Sequence, residues 1–191
     1  IGQLVAKLKS LGVLENTVIV FLSDNGYHLG SHGLGNKITM HEESVRVPMF
    51  IAGPGVLAPG RTKALVSSLD VYPTLIDLAG VENLPKHTMG KSLVPILNGR
   101  EDTVRTTVFS ECVGVGGKLG QGHRMIRSDR FKYILSGTND EALFDERADP
   151  LELVNLAGMQ GQTTTLAKMR SKMRQWMQVV GDSHLPPPAG P

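Results

Sequence analysis

Residues 17–37 read TVIVFLSDNGYHLGSHGLGNK, and this stretch decides the fold class. Its first six residues form a continuous, β-branched run without charge, which is typical of a strand covered on both faces of a parallel sheet. Asp24 and Asn25 come just past the carboxyl end of that strand, where open α/β sheets bind their ligands. The stretch therefore predicts an α/β fold with a functional site directly after this strand.

The polar segment after the strand contains the residue types of a metal and anion site. Asp24 and Asn25 offer adjacent oxygen ligands that suit Ca²⁺ or Mg²⁺, although the triplet Asp-Asn-Gly is also strong turn chemistry. His28 and His32 stand four residues apart, but the interspersed glycines argue against the helix that a zinc pair needs. A loop histidine such as His32 can instead hydrogen-bond an oxyanion or protonate a leaving oxygen, and a solvent-exposed loop histidine is the simpler alternative.

Lys37 ends this segment, and its amine is a point charge that can meet a bound oxyanion. An ordinary surface lysine is the alternative. Residues 38–44 predict a short helix whose N-terminus would add to the same pocket. We expect Glu42, Glu43 and Arg46 to form a solvated face or a local ion pair.

The remaining predicted elements divide the chain into two parts with different secondary structure. The first part contains predicted helices over residues 1–11 and 71–79, the latter with Asp70 as its N-cap, and an apolar strand over residues 47–52. The second part contains short strands and one long helix, predicted over residues 106–111, 123–127, 131–135 and 163–180. We expect residues 1–100 to form the last portion of a large α/β domain. Residues 101–185 should form a small antiparallel α+β subdomain, and residues 186–191 a Pro-rich tail.

Composition excludes several classes of protein. The 191 residues are 40% apolar, which suffices for a core, and a net charge of +2 with scattered basic residues indicates no nucleic-acid partner. No apolar stretch is long enough to cross a bilayer, so we expect no membrane span. The single cysteine, Cys112, excludes an internal disulfide. Ile1 begins inside an amphipathic pattern, so we expect a preceding part of the same protein.

Residues 17–53 resemble the C-terminal signature of the sulfatase family within the alkaline-phosphatase-like superfamily. Further matches follow in the same order along the chain: residues 68–75, 78–80, 90–93, 124–127, 132–134, 144–145, 149–150 and 155–157. The resemblance implies the C-terminal part of an alkaline-phosphatase-like sulfatase fold. It also implies a sulfuric ester hydrolase that acts on a sulfate ester substrate.

The resemblance assigns roles to individual residues. An aspartate and the following asparagine or histidine coordinate a divalent cation in that family, usually calcium, and they match Asp24 and Asn25. Lys37 occupies the place of a lysine that contacts the sulfate. His32 matches a histidine that lines the substrate pocket, and His28 lies beside it at a position that varies among relatives. The resemblance somewhat favours an extracytoplasmic or periplasmic location, which the sequence itself leaves open.

The chain departs from the family at the nucleophile. Sulfatases attack with a formylglycine made in a Cys/Ser-x-Pro/Ala-x-Arg motif, and two further aspartates complete their metal site. This chain contains no such motif, and Cys112 lacks the neighbouring proline and arginine, so we expect a packed thiol there. A missing N-terminal part would supply the formylglycine, and the isolated chain would bind a cation weakly and hydrolyse nothing.

Two alternatives stay open. A phosphonate monoester or phosphodiester hydrolase of the same superfamily would use a similar metal and lysine, since sulfate and phosphate esters share tetrahedral geometry. A non-catalytic module that binds sulfated ligands would need no nucleophile.

Overall fold

A computed structural model describes residues 1–57, 60–82, 88–112 and 122–182. The chain forms two compact units: the first contains residues 1–24 and 47–106, and the second contains residues 25–46 and the chain from residue 107 onward. The expected division near residue 100 stays a prediction. The expected Pro-rich tail over residues 186–191 lies outside the described residues.

The helices and strands follow in chain order: α1 Gly2–Ser10, β1 Ile19–Leu22, α2 Glu42–Val45, β2 Met49–Ala52, α3 Val71–Leu78, α4 Val94–Leu97, β3 Thr107–Cys112, β4 His123–Ser128, β5 Phe131–Leu135, β6 Glu141–Asp145 and α5 Thr163–Val180. Every helix and strand predicted above is present, with some boundaries shifted. The predicted helix over residues 38–44 begins later, at Glu42.

β1 and β2 pair antiparallel in the first unit, so the parallel sheet expected around β1 is not seen between these two strands. Parallel neighbours need a crossover connection, usually through a helix. The connection between β1 and β2 contains only the short turn Ser31–Gly33 and the four-residue helix α2, so no crossover helix joins these strands. β1 is half-buried within this chain, and Phe21 stacks on its cross-strand partner Phe50 at 5.0 Å between ring centroids.

Asp70 precedes α3 as predicted, but its carboxylate does not cap that helix. The side chain is fully buried and accepts the backbone N–H groups of Ser67 at 2.7 Å and Lys91 at 2.8 Å. The guanidinium of Arg105 pairs with both carboxylate oxygens. Asp70 therefore joins three separate stretches of the first unit.

The second unit is a four-stranded antiparallel sheet in the order β3-β4-β5-β6. One apolar cluster joins side chains of β4, β5 and β6 to α5: Ile126, Tyr133, Leu135, Leu143, Leu166, Met169, Met173 and Met177. The alternate residues of the same strands pack against Met40 from the segment before α2: Met125, Ile134 and Phe144. Because neighbouring strand residues point to opposite faces, both faces of this sheet are covered.

Among residues 1–57, 60–82, 88–112 and 122–182, no helix combines the length and the apolar character that crossing a membrane would require.

Candidate functional site

Residues 25–46 of the second unit form a loop that is closed at its neck. The N–H of Gly26 donates to the carbonyl of Ser44 at 2.8 Å, and the N–H of His28 donates to the carbonyl of Asn36 at 3.0 Å. A Cβ at Gly26 would lie 1.9 Å from the carbonyl oxygen of Glu43, so only glycine fits at this position. The predicted site residues Asn25, His28, His32 and Lys37 all lie on this closed loop, and Asp24 ends the first unit immediately before it.

Lys37 contacts Asn25 across the loop. The Lys37 Nζ donates to Asn25 Oδ1 at 2.8 Å, and the Nδ2 of Asn25 donates to the carbonyl of Gly26 at 2.8 Å. The second bond fixes the amide so that its oxygen faces a cationic group. An amide oxygen that can accept a hydrogen bond from an ammonium can also act as a ligand for Ca²⁺ or Mg²⁺, which prefer oxygen ligands. Asn25 therefore fits the cation that the family resemblance implies.

The histidines gather in a second group on the same loop. His28 is buried, and its Nε2 lies 2.6 Å from the hydroxyl of Thr39, which also meets His41 Nδ1 at 3.1 Å. His32 stacks on the ring of His41 at 4.2 Å and places its Nε2 3.3 Å from a carboxylate oxygen of Glu43. Burial lowers the pKa of His41, with the charge of Glu152 opposing that shift.

The sequence-predicted residues therefore fall into two groups. Lys37 and Asn25 contact each other, whereas His32 contacts His41 and Glu43, and His28 lies on Thr39. The assignment of Lys37, His32 and His28 to one substrate pocket stays a prediction. Asp24 is exposed and is the carboxylate nearest to Asn25 along the chain.

Sequence reasoning missed a buried charge cluster behind the loop, which consists of Glu42, Arg127, Lys132, Glu146 and Glu152. The ammonium of Lys132 is completely buried and lies 3.0 Å from Glu42 and 2.8 Å from Glu152. The second carboxylate oxygen of Glu152 accepts the backbone N–H of Glu42 at 2.7 Å. Glu42 is not part of a solvated face, since its side chain is only 14% exposed, but the local ion pair expected as the alternative is present, with Arg46 Nη1 3.8 Å from Glu42 Oε2.

Arg127 and Glu146 complete the cluster. Arg127 lies 3.4 Å from Glu42 and 3.3 Å from Glu146, so three carboxyl groups lie around two cations. Burial, together with the charge of Glu42, raises the pKa of Glu146 to about 8. The carboxylate oxygens of Glu42, Glu146 and Glu152 lie within 4.8 Å of one another, as in a metal site, but the Lys132 ammonium already bonds two of them. The one available signal was a lysine inside the otherwise apolar strand FKYIL.

Cys112 does not fit the role of a formylglycine precursor. Its Sγ lies 3.5 Å from the carbonyl oxygen of Ile38, and the side chain packs against the cluster around Met40 and Met125. This environment matches the expected packed thiol.

Comparisons of the sequence and the fold with known proteins show which proteins this chain is similar to. Residues 30–179 match the family described as N-sulphoglucosamine sulphohydrolase, C-terminal. The choline-sulfatase of Rhizobium meliloti is 40% identical over 182 residues, which cover 92% of this chain and 35% of that protein. The solved structure of a 2-O GAG sulfatase superimposes with a TM-score of 0.88 at 31% identity, covering 96% of this chain and 41% of that one.

A phosphonate monoester hydrolase from Agrobacterium radiobacter also superimposes, with a TM-score of 0.79 at 28% identity over 93% of this chain and 38% of that one. In each of these comparisons the chain spans well under half of the other protein's length.

Proposed function

Because this chain belongs to the sulfatase family, we propose that it forms the C-terminal portion of an enzyme that hydrolyses sulfate esters. The observation that carries the proposal is the contact of 2.8 Å between Lys37 Nζ and Asn25 Oδ1. It joins the residue expected to bind sulfate with a residue expected to bind the cation. A pocket for a tetrahedral dianion requires such a combination of a cationic amine and metal ligands.

Asp24 and Asn25 would hold Ca²⁺, with Mg²⁺ as an alternative, together with ligands from outside this chain. When bound, the cation would neutralise sulfate oxygens. Lys37 would donate hydrogen bonds to the sulfate, which its exposed side chain can reach by leaving Asn25. Charge-assisted bonds of this kind are stronger than neutral ones and act on the charge that develops during hydrolysis.

His32 and His28 would serve the same substrate. We assign His32 the role of hydrogen-bonding an oxyanion or holding the proton for the leaving oxygen, supported by the carboxylate of Glu43 3.3 Å from its Nε2. His28 would bind substrate beside it. The formylglycine nucleophile would come from an N-terminal part outside this chain, so the isolated chain would have no sulfatase activity.

The test uses the full-length protein that carries this chain. Lys37→Ala should lower the turnover of an aryl sulfate about a hundredfold, in the range for removing one charge-stabilising donor. The matched control is Lys168→Ala, since Lys168 is an exposed lysine on α5. An unchanged turnover in Lys37→Ala would remove Lys37 from the mechanism.

A phosphonate monoester hydrolase is the second candidate, favoured by the superposition with the Agrobacterium radiobacter enzyme. Parallel assays of the full-length protein on an aryl sulfate and a phosphonate monoester separate the two candidates by kcat/KM. Binding of sulfated glycans without turnover of either ester would favour the third candidate, a non-catalytic module.

A further inference from the structure

The buried charge cluster holds the start of α2, the short helix that follows Lys37 on the closed loop. Glu42 is bound there twice, through its backbone N–H to Glu152 and through its carboxylate to Lys132. α2 has four residues, and the side chain of its N-cap residue, His41, makes no capping hydrogen bond to the helix. Helices this short are not stable alone, so the position of α2 depends on these tertiary contacts.

Lys132 is the cation around which these contacts form. Its side chain is completely buried, and a buried ammonium needs charged partners to offset its desolvation. Without Lys132, Glu42 and Glu152 would face each other and Glu146 with only Arg127 nearby to compensate. The repulsion between the carboxylates would displace Glu42, because Glu42 lies on the loop. Glu146 and Glu152 lie instead in the segment directly after β6, the last strand of the sheet.

Glu152 is held in a defined position. It is 2% exposed and has a φ of 54°, a left-handed conformation that costs free energy for a residue other than glycine. Such a conformation persists where the surroundings fix it. Met40, two residues before Glu42, packs into the sheet with Met125 and Phe144. The loop is therefore attached to the sheet at two points shortly after Lys37.

We infer that Lys132 and Glu152 are positioning residues for Lys37, because their contacts with Glu42 fix the part of the loop that carries the sulfate-binding amine. The inference rests on the proposed function of Lys37. Neither residue touches the substrate, and both act through the backbone of residues 37–42. The ammonium of Lys132 and the guanidinium of Arg127 are the cations of this cluster, and the ammonium lies between two of its carboxylates where a metal ion would otherwise bind.

The test compares Lys132→Met with wild type in the full-length protein, using an aryl sulfate. Since the amine of Lys37 is misplaced rather than removed, kcat should fall about tenfold while KM changes less than threefold. Lys172→Met, at an exposed lysine of α5, is the matched control and should leave both constants unchanged. A kcat for Lys132→Met within twofold of wild type would overturn the inference.

A double-variant cycle separates positioning from a general loss of stability. If Lys132 acts through Lys37, adding Lys132→Met to Lys37→Ala should cost no further activity. Multiplying effects would overturn the inference, as they would show that Lys132 acts independently. If Lys132→Met does not fold, Glu152→Gln enters the same cycle, because glutamine keeps an acceptor for the Glu42 N–H and loses only the charge.

Charge compensation supplies a second readout. The pair Lys132→Met with Glu152→Gln removes one cation and one carboxylate, so it should recover at least threefold in kcat over Lys132→Met alone. No recovery would contradict the role of charge balance. Failure of the proposed function is distinguishable, because it would appear first as an unchanged turnover in Lys37→Ala.

Discussion

The two units of this chain hold their structures by different means. In the described part of the first unit, Leu93 is the sole buried large apolar side chain, and the buried carboxylate of Asp70 ties three stretches together. The second unit contains an apolar cluster on each face of its sheet, and its buried charges lie beside the loop. Within this chain, the first unit is thus joined at a buried polar group, whereas the second unit has an apolar core beside a buried charge cluster.

The largest effect should come from Asp70→Ala. The change leaves Arg105 and the N–H groups of Ser67 and Lys91 without their buried acceptor. Breaking one partner of a buried ion pair costs about 3–5 kcal/mol, so the first unit should unfold at much lower urea concentration. Urea denaturation of the chain measures this loss. Asp77→Ala, an exposed aspartate of α3, is the control, and equal losses in both variants would contradict a special role for Asp70.

Leu143→Ala is expected to weaken the second unit by about 2–4 kcal/mol, the range for a leucine removed from a packed core. Leu143 is fully buried between the sheet and α5. Leu153→Ala provides the control, since Leu153 is 70% exposed. A loss below 1 kcal/mol in Leu143→Ala would mean that the apolar cluster does not carry the stability of this unit.

Glu146→Gln tests the polar site through pH. The pKa of Glu146 is raised to about 8 in the folded chain, so between pH 4.5 and 8 the folded chain binds a proton that the unfolded chain has released. Stability therefore falls as pH rises through this window, with a slope of at most about 1.4 kcal/mol per pH unit from this group, and glutamine removes the slope. In thermal unfolding from pH 5 to 8.5, the melting temperature of Glu146→Gln should rise relative to that of wild type as the pH increases. The exposed Glu101→Gln should follow wild type, and parallel curves for Glu146→Gln would refute the shift.

Phe21→Ala should have the smallest effect. Phe21 and Phe50 stack across β1 and β2, but they are 38% and 42% exposed. We therefore expect their contact to contribute about 1 kcal/mol to the free energy of unfolding of this chain. Urea denaturation measures the loss, and Tyr72→Ala, an exposed aromatic residue on α3, is the control. A loss above 2 kcal/mol would show that this pair is a larger part of the first unit's stability than its exposure indicates.

Local sequence patterns predicted most of the elements. Helical spacing identified α5, and alternating short apolar runs identified β3, β4 and β5. β6 was missed because its sequence EALFD begins and ends on acidic residues, which disguise the apolar centre that pairs with β5. The antiparallel pairing of β1 with β2 could not be predicted, because a continuous apolar run indicates burial and carries no information on the neighbouring strand.

The candidate site was only partly predictable. Asn25 and Lys37 are close in sequence, so their contact follows from a tight loop rich in glycine. The charge cluster joins Glu42 to Lys132 and Glu152, which lie 90 and 110 residues farther along the chain. Local spacing cannot bring such residues together, since their contact depends on how the loop packs on the sheet.

The closed neck at Gly26 and Ser44 has a consequence for how such loops can diversify. A Cβ at Gly30, Gly33 or Gly35 would meet no atom within 4 Å, so the tip of the loop has free space around it. Because the two ends are clamped together, residues inserted at the tip would extend outward without separating the strands that flank the loop. Insertions at the tip would therefore change the surface of the loop while the hydrogen bonds at its neck are retained.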